Sequence, residues 1–136
     1  MNGKAFFDTN IILYLYSEDE PEKQRASIKI ATTYLFPTIS TQVINELTNI
    51  LFRKMQVKWD IIEEVITEVE QAFTIEVVTI SVIRMACNIA KRYQYSYYDS
   101  VIIASALSCG CTLLISEDMQ HGQIIENQLR IMNPFI

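Results

Sequence analysis

Glycine, proline and long apolar runs are all scarce in this sequence. Three Gly and three Pro among 136 residues exclude collagen-like, linker-rich and disordered classes of protein. No apolar run reaches the length of a membrane span, and Asp8 interrupts the apolar run near the amino terminus, so neither a membrane protein nor a secretory signal is predicted. We therefore expect one cytoplasmic domain, residues 1–136, built around one core.

Thiol and imidazole groups are also few. The three cysteines, Cys87, Cys109 and Cys111, are odd in number and lack Cys-x-x-Cys spacing, which argues against a disulfide framework and against a zinc site. We expect them to be small buried residues in a reducing compartment. His121 is the only histidine, and no Ser-His-Asp constellation is found around it.

Basic residues are outnumbered by acidic ones. The sequence has 11 Lys and Arg against 16 Asp and Glu, a formal net charge of −5, whereas nucleic-acid-binding proteins usually carry a basic surface. If four of the acids bound two divalent cations, the net charge would become about −1. The positions of the acids therefore matter more than their number.

The apolar pattern predicts strands that alternate with helices. The predicted strands are Lys4–Phe7, Thr38–Thr41, Thr74–Ile80 and Thr112–Ile115, with an edge strand at Leu129–Met132. The predicted helices are Ile11–Ser17, Pro21–Leu35, the segment around Glu46, Asp60–Ala72, Ser81–Arg92 and Val101–Cys109. This order indicates an α/β domain with a parallel sheet covered on both faces. Ligands of such sheets bind beyond the carboxyl ends of the strands.

Four acids stand out by their position. Asp8 and Asp118 each follow an apolar strand, so both should project toward the same edge of the sheet. Asp99 shares a helical face with apolar residues and should point toward the core, and Glu46 flanks the apolar stripe of its own helix. Taken singly, each has an ordinary explanation: a helix cap for Asp8, a turn for Asp118, a capping box for Asp99 and a solvated surface for Glu46.

Together, four such carboxylates would repel one another unless a hard cation lay between them. Mg²⁺, or Mn²⁺ as a substitute, has the required preference for oxygen ligands. A metal held in this way promotes hydrolysis of phosphodiesters. Thr9, Asn10 and Ser116 flank the acids and are predicted to orient them by hydrogen bonds, although local capping would explain each of the three as well.

Cations that could contact a phosphate are hard to identify in so acidic a chain. Lys91 and Arg92, which precede a tyrosine-rich segment, are the best candidates. The alternative is that they form the cationic end of a helix, which the helix dipole favours. The four tyrosines at positions 93, 95, 97 and 98 would either stack on unpaired bases or cover the core.

The motifs as a set resemble the PIN domain and, within it, the VapC-type toxins. They are Phe6–Ile11, Asn45–Leu47, Tyr98–Ala106 and Leu114–Asp118, and they occur in the family's order over essentially the whole chain. The resemblance implies a three-layer α/β/α sandwich in which Asp8, Glu46, Asp99 and Asp118 form the acidic quartet of a Mg²⁺-dependent ribonuclease. It also implies cleavage of single-stranded regions of RNA, a homodimer and a small antitoxin partner.

Other classes that use a strand-end acid and magnesium fit less well. A phosphatase of the haloacid-dehalogenase type needs a second aspartate two positions after Asp8, where Asn10 stands. A receiver-like domain needs an aspartate that ends a middle strand and a lysine that ends a later one, and neither is present. A non-catalytic PIN-like module that binds RNA or protein remains open, since intact acids do not prove turnover.

Overall fold

A mixed sheet with flanking helices makes up the part of the chain that the computed structural model describes, residues 3–136. The strands are β1 (Ala5–Phe7), β2 (Thr38–Ser40), β3 (Thr74–Glu76), β4 (Leu113–Ile115), β5 (Ile124–Ile125) and β6 (Leu129–Met132). The helices are α1 (Thr9–Leu15), α2 (Pro21–Thr33), α3 (Thr41–Arg53), α4 (Trp59–Ala72), α5 (Ile80–Tyr93) and α6 (Tyr97–Ser108).

The strands lie in the order β3-β2-β1-β4-β6-β5. Every neighbouring pair is parallel except β5 and β6, which are antiparallel. In the centre, β1 pairs with β4 in the register Ala5 to Leu113 and Phe7 to Ile115. The arrangement confirms the predicted α/β class with a mainly parallel sheet.

The core is built from the central strands and the helices that pack on them. The side chains of Ala5, Phe6 and Phe7 are completely buried, as expected of a strand covered on both faces. Phe7 packs edge-to-face on Phe73, with ring centroids 5.8 Å apart. Residues 100–106 of α6 are all buried, in agreement with a helix that is apolar almost all round. No helix within residues 3–136 is both long and apolar enough to cross a bilayer.

The prediction of a buried strand at Thr74–Ile80 was wrong in its length and its burial. Strand β3 ends at Glu76, lies at the edge of the sheet, and has no fully buried residue. One of the β-branched residues that suggested a longer strand, Thr79, belongs to the helix instead. Its hydroxyl accepts a hydrogen bond from the Val82 amide and caps α5. A threonine cap competes with strand pairing, so the helix begins where the pattern predicted sheet.

The carboxyl-terminal strands also differ from the prediction. Strand β6 has the predicted bounds, but it lies between β4 and β5 rather than at the edge. Strand β5 occupies the edge of the sheet. It has two residues, too few to show the alternation of apolar and polar side chains by which a strand is predicted. It is joined to β6 by residues 126–128. Glu126 and Asn127 have left-handed φ angles, as the two central residues of a type I′ turn require, and the Gln128 amide donates to the Ile125 carbonyl.

The expectation that all three cysteines are buried was wrong for two of them. Cys111 is buried, whereas Cys109 is half-buried and Cys87 is exposed. Cys87 lies on α5 beside the buried Ala86, so its position on the helix turns it toward solvent.

Candidate active site

A cleft of about 180 Å³ opens at the carboxyl edge of the sheet, where β1 and β4 end. Its lining residues are Asp8, Thr9, Asn10, Glu46, Ile50, Asp99 and Asp118. The structure therefore brings all four predicted acids to one cleft, together with two of the three predicted supporting residues. Their roles as catalytic groups and metal ligands stay predictions.

Asp8 occupies the floor of the cleft and is held on several sides. Its amide donates to the Ile115 carbonyl at 2.9 Å, which continues the pairing of β1 with β4. Its Oδ1 accepts from the Thr9 amide at 2.8 Å and its Oδ2 accepts from the Ser116 hydroxyl at 2.8 Å. Asp8 is thus the N-cap of α1 as well as a cleft residue, so the two interpretations of its position are compatible.

The electrostatics of the cleft show that its acids affect one another. Burial raises the pKa of Asp8 from 3.8 to about 6, and the charges of Asp99 and Glu46 add to the rise. The hydrogen bonds from Ser116 and Thr9 lower the pKa, but by less. Burial and then the charge of Asp99 raise the pKa of Glu46. Burial and the charge of Asp118 raise the pKa of Asp99. Among the described lining residues none is basic, so the negative charge is uncompensated.

Each of the three predicted supporting residues donates a hydrogen bond to a different acid. Besides the bond from Ser116 to Asp8, the Thr9 hydroxyl donates to Glu46 Oε1 at 2.6 Å. The Asn10 amide donates to Asp118 Oδ2, also at 2.6 Å. The first turn of α1 thereby connects β1 to α3 and to the segment after β4. These bonds orient three of the four carboxylates around the cleft, those of Asp8, Glu46 and Asp118.

Asp99 enters the cleft from the first turn of α6. Its amide donates to the Ser96 hydroxyl at 3.2 Å, so the capping interaction that the sequence suggested is present. The residues that follow on its helical face, Ile102, Ile103 and Ala106, are buried, and Asp99 itself is half-buried at the rim. The capping role and the place in the cleft therefore coexist.

The donor set of the cleft is compatible with magnesium, although no closed cage is present. Within residues 3–136, no group of three or more His, Cys, Asp or Glu side chains is arranged to hold a metal ion as it stands. Magnesium usually binds through one or two carboxylates and keeps several waters. Four oxygen donors around one small cleft satisfy that requirement without a preformed cage.

A second network, which the sequence did not reveal, fixes the segment that carries Asp118. The preceding residue, Glu117, accepts hydrogen bonds from the Tyr14 hydroxyl and the Lys23 ammonium group. Burial opposes ionisation of Glu117, but these two bonds outweigh it and hold its pKa below the ordinary value. Tyr14 also packs edge-to-face on Phe135, with ring centroids 5.5 Å apart. Partners roughly a hundred positions apart leave no local pattern, so inspection of the sequence could not find them.

The proposed phosphate contacts lie outside the cleft. Lys91 and Arg92 occupy the last turn of α5, and the Arg92 guanidinium donates to Glu126 Oε2 at 2.6 Å. His121 is engaged locally, since its Nδ1 accepts from the Asn133 amide at 3.0 Å. Whether Lys91 and Arg92 bind RNA stays a prediction.

The four tyrosines before α6 divide into two pairs. The hydroxyls of Tyr93 and Tyr95 donate to Glu126 and Gln123, and both rings are half-buried. Tyr97 and Tyr98 are 44% and 58% exposed. The first pair thus covers the fold, and only the second pair presents its rings to solvent.

Replacing Ser116 by Ala is expected to lower the free energy of unfolding by about 1–3 kcal/mol. The change removes the donor to Asp8 and also the acceptor of the Met119 amide, at 3.3 Å. Urea unfolding of the two proteins measures the difference. Ser100→Ala is the matched control, because the Ser100 hydroxyl is buried without a hydrogen-bond partner in the described chain and its loss should be nearly neutral. If the two variants lost the same free energy of unfolding, the hydrogen bonds of Ser116 would not contribute to stability as expected.

Comparison with known proteins connects this geometry to a family. Residues 5–125 match the family described as PIN domain. The comparison with curated proteins gives no match. The matched range includes every acid of the cleft.

Solved structures show the same fold at low sequence identity. A toxin–antitoxin complex from Klebsiella pneumoniae has a TM-score of 0.73 at 19% identity, covering 96% of this chain and 97% of that chain. VapBC2 from Rickettsia felis, bound to a DNA fragment from its promoter, has a TM-score of 0.68 at 14% identity, covering 96% and 99%. VapC20 from Mycobacterium tuberculosis, a Sarcin-Ricin loop cleaving toxin, has a TM-score of 0.68 at 16% identity, covering 84% and 91%.

Proposed function

Since the chain belongs to the PIN domain family, we propose that it is a Mg²⁺-dependent endoribonuclease that cuts single-stranded regions of RNA. The observation that carries the proposal is the cleft, in which acids from four separate segments of the chain come together at the carboxyl edge of a parallel sheet. The solved relative that cleaves the Sarcin-Ricin loop supports RNA as the substrate.

In this proposal Asp8, Glu46, Asp99 and Asp118 hold Mg²⁺, with Mn²⁺ as a substitute. An ion held there would supply a water molecule of lowered pKa and would offset the charge of the substrate phosphate. The protein's contribution is orientation. Asp8 is held by two hydrogen bonds, Glu46 by Thr9 and Asp118 by Asn10, so these carboxylates need little rearrangement when the ion binds.

We further propose that the protein acts in the cytoplasm as the toxin of a toxin–antitoxin pair. A small antitoxin protein would be its partner and a homodimer its assembly. The solved toxin–antitoxin complexes of similar fold support the antitoxin. The homodimer rests on the family resemblance alone.

Cleavage of a labelled RNA with and without metal tests the proposal. A hairpin with a single-stranded loop is incubated with the protein in Mg²⁺, in Mn²⁺ or in excess EDTA, and the products are resolved on a sequencing gel. We expect internal cuts in the loop with either metal and none in EDTA or with Asp99→Asn. A folded protein that binds the RNA but never cuts it would support the non-catalytic module. Turnover of a phosphate monoester without RNA cleavage would support a phosphatase.

The assignment of Lys91 and Arg92 predicts a change in the salt dependence of RNA binding. If both contact phosphates, replacing both by Ala should weaken binding to all RNA sequences and reduce the slope of log affinity against log salt by about one unit per lost contact. Glu126→Gln is the matched control, since it frees the Arg92 guanidinium and should leave the slope undiminished. A double variant with an unchanged slope and only a small loss of stability would show that the pair is merely the cationic end of α5.

A further inference from the structure

Two thiols meet at the carboxyl end of α6, on the segment that leads into β4. The sulfur atoms of Cys109 and Cys111 are 3.5 Å apart. Gly110 between them has a φ of +80°, and its amide donates to the Leu107 carbonyl while the Cys111 amide donates to the Ala106 carbonyl. This is the Schellman ending of a helix, in which a glycine turns the chain back on itself. The turn brings two cysteines that are two positions apart into sulfur–sulfur contact.

The two thiols differ in access and in ionisation. Cys109 is half-buried, whereas Cys111 is completely buried. The hydrogen bond with Cys111, followed by the positive charge of Lys4, lowers the pKa of the Cys109 thiol, although burial and the charge of Glu76 oppose this. The Cys111 thiol has its pKa raised by the hydrogen bond with Cys109 and by burial. Cys109 is therefore the more accessible thiol, whereas the complete burial of Cys111 disfavours its thiolate.

The surroundings suit closure of the pair into a disulfide. The sulfur atoms are 3.5 Å apart, and a disulfide would bring them to about 2.05 Å. Gly110 carries no side chain, and no atom lies within 4 Å of the position that a Cβ would take there. The Lys4 ammonium group donates to the Cys109 carbonyl at 2.9 Å, which fixes the backbone at the first cysteine.

We propose that Cys109 and Cys111 form a thiol–disulfide exchange site for small disulfides of the glutathione type, a property separate from RNA cleavage. The Cys109 thiolate attacks one sulfur of oxidised glutathione, and the disulfide bond of glutathione breaks to release one glutathione thiolate. The Cys111 thiol then loses its proton and attacks the Cys109 sulfur, releasing the second glutathione. The two cysteines lose two electrons and two protons, and one oxidised glutathione becomes two reduced molecules.

Intact-mass measurement on the folded full-length protein tests this proposal. The Cys87→Ser variant leaves only the proposed pair, and it is exposed to oxidised glutathione and then alkylated under denaturing conditions. We expect a product that has lost the mass of two hydrogen atoms, carries no glutathione and takes up no alkylating agent. With Cys87→Ser and Cys111→Ala combined, a stable adduct of one glutathione should remain, because nothing displaces it.

The Cys87→Ser and Cys109→Ser combination completes the series. It retains only the buried Cys111, so its adduct should form at least ~10-fold more slowly than that of the variant that retains Cys109. If the Cys111→Ala protein fails to fold, the folded Cys87→Ser protein is used instead. Peptide mass then shows which of its two cysteines is alkylated first, and we expect Cys109. A persistent adduct in Cys87→Ser, an internal disulfide that forms only in urea, or Cys111 reacting first would overturn the proposal.

Discussion

Replacing Asp8 by Asn is expected to reduce RNA cleavage by at least about 10²–10³-fold, the range for loss of one group that stabilises transition-state charge. Asp8 is the most buried acid of the cleft and accepts two hydrogen bonds. The amide has nearly the same shape, and its oxygen can still accept from the Thr9 amide, so the fold should persist. The change removes the negative charge and one carboxylate oxygen of the Mg²⁺ site proposed above.

Single-turnover cleavage of the hairpin RNA in saturating Mg²⁺ measures this effect. Asp19→Asn is the control, because Asp19 is exposed in the loop before α2 and lies away from the cleft. It removes the same charge from the protein and should leave the rate within a factor of about two. If the Asp8 variant were folded and cleaved at the wild-type rate, the cleft would not be the catalytic site.

The same substitution should make the metal-free protein more stable at neutral pH, by up to about 3 kcal/mol. Burial first, then the charges of Asp99 and Glu46, raise the pKa of Asp8 from 3.8 to about 6. Between these values the native state binds more protons than the unfolded state, so the contribution of Asp8 to stability falls as pH rises from about 4 to about 6. A rise of about two pKa units corresponds to about 3 kcal/mol.

Unfolding in urea between pH 4 and pH 8, in EDTA, measures this contribution. The stability difference between Asp8→Asn and wild type should be small near pH 4 and reach its full value above pH 7, since Glu117 and the other carboxylates outside the cleft act equally in both proteins. Added Mg²⁺ should then stabilise wild type more than the variant, because binding to the native state alone shifts unfolding by mass action. A difference that is independent of pH, or an equal response of the two proteins to Mg²⁺, would contradict a buried metal-binding carboxylate.

The parts of the site that the sequence predicted are those fixed by regular geometry. An acid at or shortly after the end of a buried strand emerges at the carboxyl edge. Asp8, directly after β1, and Asp118, three residues after the end of β4, both lie in the cleft as this argument predicted. Asp99 was predicted because its helical neighbours are apolar, and α6 is indeed buried along that face. The spacing of apolar residues along a helix and the position of an acid relative to the end of a strand are local properties. They can therefore be recognised in a single sequence.

What the sequence could not provide is the pairing of particular side chains. Thr9, Asn10 and Ser116 were expected to support the acids, but only the structure shows that Thr9 serves Glu46 and Asn10 serves Asp118. The contact of Glu117 with Lys23 was not predicted at all. Such pairs depend on how whole elements pack. Strand β5 was missed because two residues have no period to detect. Strand β3 was predicted too long because Thr79, counted as part of the strand, caps α5.

The position of β1 beside β4 has a consequence for synthesis of the protein on the ribosome. The first strand of the chain pairs with one that begins more than a hundred residues later, at Leu113, and the Asp8 carboxylate receives its second hydrogen bond from Ser116. A nascent chain therefore lacks Asp118, and the hydrogen bond of Ser116 to Asp8, until residues 113–118 have left the exit tunnel. If the protein cuts RNA as proposed, it would accordingly be unable to cut its own messenger before these residues have been made and have emerged from the ribosome.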